Sequence, residues 1–380
     1  MQTRNYLLKL GLVFTLCIYS LIGHASISPP VIPVANRTDA LTFNIDKRAV
    51  PNSLFIWRNV SGGEGSTNPV SDDDKAYYAG MSWVCLAANN DDTGACPSYP
   101  QWSIDSLSSI KLRFVEKKTL ISKTLDLRGY NFSYSADQSG VGYAIYSPRN
   151  SGLTGPRGKK LSLYILGSEI SKLPIGGVWQ AKLILRQSSW APTSVVATWT
   201  ANITINLVDS NNIQIYLPDY NTATPTIDLG LKAVSAGVDA SLTGRADVQA
   251  CLYDGFNGQS DSYTITMSDP SSKDSNFYIK NSSTNTNSDL ENKIRYDVYT
   301  SSPAAPSDIS YQRLNGVGFV FRNINGSTVP RLTSLPNIPN PVYCTPWQFS
   351  LIARIPRKEV ESGMYSGVLR IKFTPSTANF

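Results

Sequence analysis

The feature that most constrains this chain is an alternation of apolar and polar side chains with a period of two. In Ile110-Lys111-Leu112-Arg113-Phe114, the apolar side chains fall on one face of an extended strand and the cations on the other. Ile203, Ile205 and Leu207 alternate with polar residues in the same way. This period is typical of antiparallel strands that are buried on one face. No helical stripe is equally persuasive, so we predict an all-β fold.

Composition and turn signals indicate how the strands are distributed. The chain has 26 Gly and 23 Pro, and charged residues make up 16%, which is typical of many short strands joined by turns. The turn formers Asp209-Ser210-Asn211-Asn212 separate two alternating runs, so we predict two domains, 26–209 and 210–380. We interpret 26–76 as an irregular entry segment with about two strands. Other strands are expected at 226–232, 247–254, 261–267, 293–299, 316–322, 348–355 and 368–374.

The first 25 residues have the organisation of a secretory signal peptide. Arg4 and Lys9 precede an apolar stretch from Leu10 to Ile22, and Gly23-His24-Ala25 supplies a small-residue cleavage site. The apolar stretch is too short for a stable membrane span. We therefore expect export and a mature protein that starts at Ser26.

Loss of this segment would also remove the only histidine, His24. Imidazole is the usual general base near neutral pH, so a Ser-His-Asp triad is excluded from the mature chain. The formal charge falls from +6 to +4, and the excess lies in 26–209, with 18 Lys and Arg against 14 Asp and Glu. This favours an anionic partner such as an acidic glycan, although an ordinary mixed surface explains so small a charge equally well. No basic run or recognition motif indicates nucleic acid.

The cysteines favour disulfide bonds. Cys17 lies in the signal segment, which leaves four cysteines in an oxidising compartment. Cys85 and Cys96 are close enough for a local loop, whereas Cys251 and Cys344 are distant and both lie in strand-like sequence. We predict the pairs Cys85–Cys96 and Cys251–Cys344. A zinc site is the weaker alternative, because the chain has no CxxC pair.

Motifs for catalysis and metal binding are weak. Ser108 and Lys111 have the SxxK spacing, but they lie in an alternating strand, so chance explains the match better. The runs Asp72-Asp73-Asp74 and Asp91-Asp92 lack the spaced ligands and the glycine of an EF-hand loop, and we interpret them as solvated loops. A carboxylate pair for glycoside hydrolysis depends on a three-dimensional separation, and nothing singles one out. We expect no catalytic residue, metal or cofactor.

A basic segment is the best sequence candidate for receptor binding. Residues 138–168 contain no acid and carry cations among Gly and Pro. Such a loop can bind an anionic sugar through bidentate arginine contacts, or it can be an ordinary soluble turn. Trp190 can stack on a sugar ring, although core packing is the commoner fate of tryptophan. Arg186 is added to this set, so the candidates are Arg149, Arg157, Lys159, Lys160, Arg186 and Trp190.

One segment carries a family resemblance. Glu169-Ile170-Ser171-Lys172-Leu173-Pro174-Ile175-Gly176-Gly177-Val178-Trp179 resembles the pattern E-x-x-K-L-P-x-G-G-x-W of the minor tip adhesins of class five fimbriae. That family includes colonization-factor tip adhesins and the cable-pilus biogenesis initiator. Further matches follow in the same order, among them Met81-Ser82-Trp83-Val84-Cys85, Cys251-Leu252-Tyr253-Asp254-Gly255 and Phe373-Thr374-Pro375. The resemblance runs from about residue 76 to the C-terminus.

The resemblance implies two immunoglobulin-like β-sandwiches. The first, 26–209, would be an adhesin domain that binds a host glycoprotein or glycolipid. The second, 210–380, would be a pilin domain that lacks one strand. It would accept a donor strand from the major pilin subunit after delivery by a periplasmic chaperone to an outer-membrane usher. The protein would then lie at the fimbrial tip on the bacterial surface.

The resemblance also suggests which residues flank the missing strand. Exposed apolar side chains beside an open sheet edge would form the groove, and we expect these to be Ile213, Ile215, Leu217, Leu369, Ile371 and Phe373. Two departures concern the receptor. Gly80 stands where family adhesins carry an arginine, and only Arg186 remains of a basic pair after the Gly-Gly-x-Trp strand. A second adhesin-domain disulfide of some relatives is also missing.

Two alternatives stay open at the sequence level. A secreted carbohydrate-active enzyme built on β-sandwiches would share the export signal and the all-β pattern. A structural tip subunit that initiates assembly without binding a receptor would share the family motifs.

Overall fold

The computed structural model of the chain describes residues 30–66, 77–133, 142–150, 158–190, 192–220, 222–234, 237, 240–282, 292–325 and 330–376. The expected signal segment, the run Asp72-Asp73-Asp74 and Arg157 lie outside these ranges. Strands dominate, and one short helical turn spans Gly167–Ile170. In the described ranges, no helix combines the length and the apolar character that a membrane crossing needs.

The first domain is one sheet that folds over itself around a core. Within the described residues its strands are β1 (Arg37–Asp46), β2 (Ser53–Glu64), β3 (Ser82–Cys85), β4 (Ser108–Glu116), β5 (Ser122–Ser133), β6 (Tyr143–Ala144), β7 (Gly158–Leu166), β8 (Gly177–Trp190) and β9 (Thr193–Val208). The order is β1-β9-β8-β4-β5-β7-β2, with β3 on β8 and β6 on β5. Ile32, just before β1, bonds to Glu64 of β2 through both backbone groups, so the two ends of the sheet meet.

The alternation in the sequence selects the inner face of this sheet. In β9 every second residue from Ala197 to Leu207 is buried, and in β4 Ile110, Leu112 and Phe114 are fully buried. These side chains join Trp83, Trp179 and the inner residues of β5, β7 and β8 in one cluster. β1 runs parallel to β9 along its whole length, whereas β8 and β9 are antiparallel.

The second domain is a sandwich of two sheets. In the described part its strands are β10 (Gln214–Tyr216), β11 (Lys232–Ala233), β12 (Ser241–Tyr253), β13 (Ser262–Ser268), β14 (Phe277–Asn281), β15 (Lys293–Ser302), β16 (Ala305–Arg313), β17 (Gly318–Arg322), β18 (Arg331–Thr333), β19 (Val342–Pro356), β20 (Tyr365–Ser366) and β21 (Arg370–Pro375). One sheet has the order β10-β12-β19-β15-β14-β20, with β11, β16 and β18 attached to its inner strands, and the other is β17-β13-β21. The core between them includes Val248, Phe277, Trp347 and Phe349.

The structure agrees with most of the strand predictions and corrects one. The all-β prediction is confirmed, and both disulfides are present as predicted, Cys85–Cys96 and Cys251–Cys344. The expected strand 226–232 is wrong, because only Lys232 and Ala233 pair, with Thr243 and Leu242 of β12. The segment 26–76 holds the long strands β1 and β2, whose irregular appearance in the sequence reflects exposed edges and bulges.

A buried carboxylate joins the two domains. Glu116, at the end of β4, is fully buried, and its Oε2 accepts from Asn257 Nδ2 of the second domain at 2.7 Å. Asn257 Oδ1 in turn accepts from Tyr343 N at 2.8 Å. A carboxylate without water must receive hydrogen bonds to remain buried. The other donors to Glu116 are Lys118 N, Thr119 N, Thr119 Oγ1, Val178 N and Gln259 Nε2.

The loop that meets Glu116 is itself fixed by a second carboxylate. Asp254 accepts from Phe256 N at 2.9 Å and from Gly258 N at 2.8 Å. It also accepts from the backbone and hydroxyl of Ser260. Gly176 packs so closely on Gly255 that an added Cβ would lie 1.9 Å from its carbonyl oxygen. Glycine is therefore required at this backbone contact between domains.

Glu116→Gln should destabilise the protein. One carboxylate oxygen becomes an NH₂ group that faces donors, which leaves at least one buried donor unpaired at a cost of roughly 1–3 kcal/mol. Equilibrium unfolding in urea would measure the loss. Glu359→Gln, at an exposed position, is the control and should change the free energy of unfolding by less than about 0.5 kcal/mol. Equal midpoints for both variants would show that Glu116 does not stabilise the junction.

Candidate functional site

An open apolar groove of about 900 Å³ runs along the second domain. One wall carries Ile215 and Leu217 from β10 and the residues after it, and the other carries Leu369 and Ile371 from the start of β21. All four side chains are half-buried. The floor consists of core side chains of β15 and β19, namely Tyr296, Phe349 and Leu351. The groove is therefore a part of the core that is open to solvent.

The walls of this groove are two sheet edges. Among the described residues, β10 pairs only with β12, and β21 pairs only with β13. Each strand thus turns one row of backbone N–H and C=O groups away from its own sheet. A sheet edge of this kind, beside exposed aliphatic side chains, is a template for another strand.

The first domain contains the strand that would fill the equivalent position. There, β9 lies between the domain's first strand, β1, to which it is parallel, and β8, to which it is antiparallel. Its inward side chains, from Ala197 through Trp199 to Leu207, complete the core. In the second domain β10 and β21 occupy the flanking positions, and no strand of the described residues lies between them.

The structure brings four of the six predicted groove residues together. Ile215, Leu217, Leu369 and Ile371 line the groove. The other two, Ile213 and Phe373, are not among the residues that line it. Ile213 lies near Gly255 at the domain junction, and the Phe373 ring packs edge-on against Tyr263 at 5.0 Å.

Sequence reasoning missed a segment without sheet pairing that lines the groove. Residues 222–231 lead into β11, and Ile227, Leu229 and Leu231 pack on the core and line the groove. Their alternation is what suggested a strand. Pro225 and Gly230, which has a φ of +61°, are the sequence signals that could have indicated an irregular segment instead.

The receptor candidates of the first domain fall into two groups. Trp190 is 40% exposed at the end of β8. Arg149 is half-buried with its guanidinium 5.1 Å from the Tyr143 ring, and Arg186 donates to Leu86 O at 2.9 Å. Lys160 is half-buried. Lys159, in contrast, is fully buried and offers no surface to a ligand.

Lys159 belongs to a buried polar network. Its Nζ donates to Ser147 O at 2.9 Å. Asn131 Nδ2 donates to the same oxygen at 3.1 Å and also to Ala144 O and Ile145 O. The ammonium group is desolvated, and this burial lowers the pKa of Lys159 well below its usual value of 10.5. The network fixes the backbone of 144–147 from inside the domain.

Ser108, Lys111, Asp91 and Asp92, from the weak catalytic and metal motifs, have structural partners or lie apart. Ser108 is buried, and its Oγ accepts from Ile145 N at 2.8 Å, while Lys111 lies on the exposed face of the same strand. Asp91 and Asp92 both pair with Arg113. In the described part of the chain, no group of three His, Cys, Asp or Glu side chains is arranged to hold a metal ion.

Comparison with known proteins identifies the family. The family model for the first domain of CfaE, a component of CFA/I fimbriae, matches residues 23–210, and the model for the CfaE second domain matches 213–377. The chain is a member of the CfaE family of fimbrial tip adhesins. It is 35% identical over 312 residues to the CFA/I fimbrial protein CfaE of Escherichia coli, covering 79% of this chain and 81% of that protein.

Solved CfaE structures share this fold. The crystal structure of CfaE, the adhesive subunit of CFA/I fimbria of enterotoxigenic E. coli, gives a TM-score of 0.72 at 28% identity and covers 90% of this chain and 93% of that one. A second structure comes from a chaperone–tip adhesin complex described as vital for synergistic activation of CFA/I fimbriae biogenesis. It gives a TM-score of 0.64 at 28% identity and covers 91% of this chain and 98% of that one.

Lys159→Met should flatten the alkaline part of the pH–stability profile. Between the lowered pKa in the folded protein and 10.5, the unfolded chain binds more protons, so the wild-type free energy of unfolding rises with pH. Urea unfolding from neutral pH up to about pH 10, below the usual lysine pKa, would measure this. The neighbouring Lys160→Met is the control and should keep the wild-type slope. A slope that is unchanged in Lys159→Met would contradict the lowered pKa of the buried Lys159 amine.

Proposed function

We propose that this chain is a fimbrial tip adhesin and an initiator of pilus assembly, and that its second domain is completed by a strand of the next pilin subunit. The open groove between β10 and β21 carries this proposal. The division of labour would follow the two domains, with 26–209 as the adhesin part and 210–380 as the pilin part. The protein would be non-enzymatic.

The first domain serves as an internal template for the donor strand. If the donor takes the position of β9, it runs antiparallel to β21 and parallel to β10. It presents every second side chain to the floor at Tyr296, Phe349 and Leu351. The backbone of both edges is then paired and the apolar walls are covered, which is β-augmentation.

The same open edge explains why a chaperone is required before assembly. Half-exposed Leu217, Leu369 and Ile371 beside unpaired backbone make the isolated domain prone to association. A periplasmic chaperone that occupies the groove would prevent this, and the chaperone–adhesin complex of a relative supports such a step. Delivery to an outer-membrane usher and display at the fimbrial tip on the bacterial surface would follow. Because β1 is bonded within its own first domain, that strand is not available to a neighbour.

Receptor binding is assigned to the first domain. The proposed ligand is a host glycoprotein or glycolipid, and the adhesive role named for the solved relative supports this. Arg149 and Arg186 are the proposed polar contacts, with Trp190 as a stacking surface. A purely structural tip subunit would share the groove but not this binding.

A donor segment fused to the C-terminus should convert the chain into a stable monomer. The missing strand is antiparallel to β21, so a short turn can lead a fused strand back into the groove. The N-terminal segment of the following fimbrial subunit is the donor to fuse. Burying several large aliphatic side chains at roughly 1.5–3 kcal/mol each should raise the unfolding free energy by about 5 kcal/mol or more.

The matched control is the same fusion with its inward-facing apolar residues changed to serine. Light scattering and thermal unfolding should show that only the apolar donor gives a monomer with a raised Tm. If the unfused chain is already monomeric and neither fusion changes its Tm, the second domain is complete without a partner.

Arg149→Ala and Arg186→Ala, in the donor-completed protein, should reduce attachment to host cells about tenfold or more. A charge-assisted hydrogen bond to a ligand is worth roughly 1.5–3 kcal/mol. Arg245→Ala, an exposed arginine of the second domain paired with Asp247, is the control. Unchanged attachment by both variants would remove these arginines from the receptor site, and a wild-type protein that attaches to no cell would favour the structural tip subunit.

A further inference from the structure

The segment 97–107, after the loop closed by Cys85–Cys96, exposes large apolar side chains on a fixed backbone. Trp102 is 61% and Ile104 is 74% exposed, and Tyr99 at its start is 64% exposed. Most isolated exposed side chains need no explanation. Here the two exposed side chains Trp102 and Ile104 stand two positions apart in one segment.

Hydrogen bonds to residues 144–147 hold this segment in place. Gln101 N donates to Tyr146 O at 3.1 Å, and Ser103 N donates to Ser147 Oγ at 3.2 Å. Ala144 N donates to Asp105 O at 2.7 Å. The segment is thus bonded to 144–147 through every second residue, as an extended run would be, and Gln101 and Ser103 are half-buried. Trp102 and Ile104 alternate with them and face solvent.

The support beneath this surface is the buried polar network. Ser147 Oγ donates to Ser103 O at 2.9 Å. Ser147 O accepts from Lys159 Nζ and Asn131 Nδ2, and all three side chains are buried. A surface held in this way loses little conformational entropy when a ligand binds, which favours affinity.

We propose that Trp102 and Ile104 form a stacking platform for a pyranose ring of a neutral host glycan. This inference rests on the adhesin function proposed above. The face of an indole ring is electron-rich, and it packs on the weakly positive C–H face of a sugar, with large contact area at low entropy cost.

Two observations favour a single neutral sugar over other occupants. The exposed parts of the Trp102 and Ile104 side chains amount to roughly 100–150 Å² each, well below the roughly 800 Å² that each partner of a stable protein complex buries. The Asp105 carboxylate, exposed beside Ile104, accepts from Ser103 Oγ at 2.8 Å and from Tyr146 OH at 3.3 Å. This negative charge disfavours sialic acid and anionic lipid headgroups.

The experiment compares four forms of the donor-completed full chain: wild type, Trp102→Ala, Trp102→Phe and Tyr311→Ala. The last removes an exposed ring from the second domain. Each is applied to neutral galactose- and glucose-terminated oligosaccharides, to their sialylated counterparts, to vesicles carrying the same neutral glycans as glycolipids, and to plain phosphatidylcholine vesicles. Because Trp102 is exposed, all four should have the same Tm within a degree or two.

The wild type should bind the neutral glycans. Trp102→Ala should weaken this binding by about tenfold or more, whereas Trp102→Phe and Tyr311→Ala should largely retain it. Tighter binding to the glycolipid vesicles would identify a glycolipid as the source of the glycan. Tighter binding to the free oligosaccharides would identify a glycoprotein. Both results support the platform. Wild-type glycan binding that Trp102→Ala leaves unchanged overturns the inference but not the adhesin function. Binding to plain vesicles that depends on Trp102 also overturns the inference. A wild-type protein that binds no glycan overturns both the platform and the glycan-binding adhesin function.

Discussion

The second domain depends on a sheet edge that its own chain leaves unpaired. β10 and β21 each pair on one side only among the described residues, and the aliphatic side chains between them stay half-exposed above Tyr296 and Phe349. A strand that enters the groove gives hydrogen bonds to the backbone polar groups and removes the apolar side chains from water. One partner strand therefore satisfies both. The proposals for chaperone, donor strand and tip position all follow from this edge.

The two domains differ in how the last strand of each sandwich is supplied. In the first, β9 supplies the strand between β1 and β8, and the sheet then closes on itself through Ile32 and Glu64. This leaves loops of the first domain available for recognition while its core is complete. The buried Glu116, with donors from both domains, couples the complete sandwich to the open one through hydrogen bonds that water cannot replace.

Sequence reasoning worked where burial imposes a strict period. β4, β9 and β21 were predicted because one face of each strand is buried and the other is solvated. It failed at 226–232, where Ile227, Leu229 and Leu231 alternate because they line the groove, and not because they pair in a sheet. It also misjudged Lys159. A lysine among Gly and Pro suggested a surface loop, but desolvation is tolerated there because Ser147 O accepts from the amine.

The sequence by itself determined the all-β class, the two disulfide pairs and the family, because periodicity, cysteine spacing and local motifs are properties of the chain. Only the tertiary structure decided that Ile215, Leu217, Leu369 and Ile371 line one groove without Ile213 and Phe373, and that Trp102 and Ile104 are exposed together on a rigid support. Both depend on segments that are distant in sequence, on β10 with β21 and on 97–107 with 144–147. No local pattern records which of these segments meet, because their contacts are set by the packing of the whole sheet.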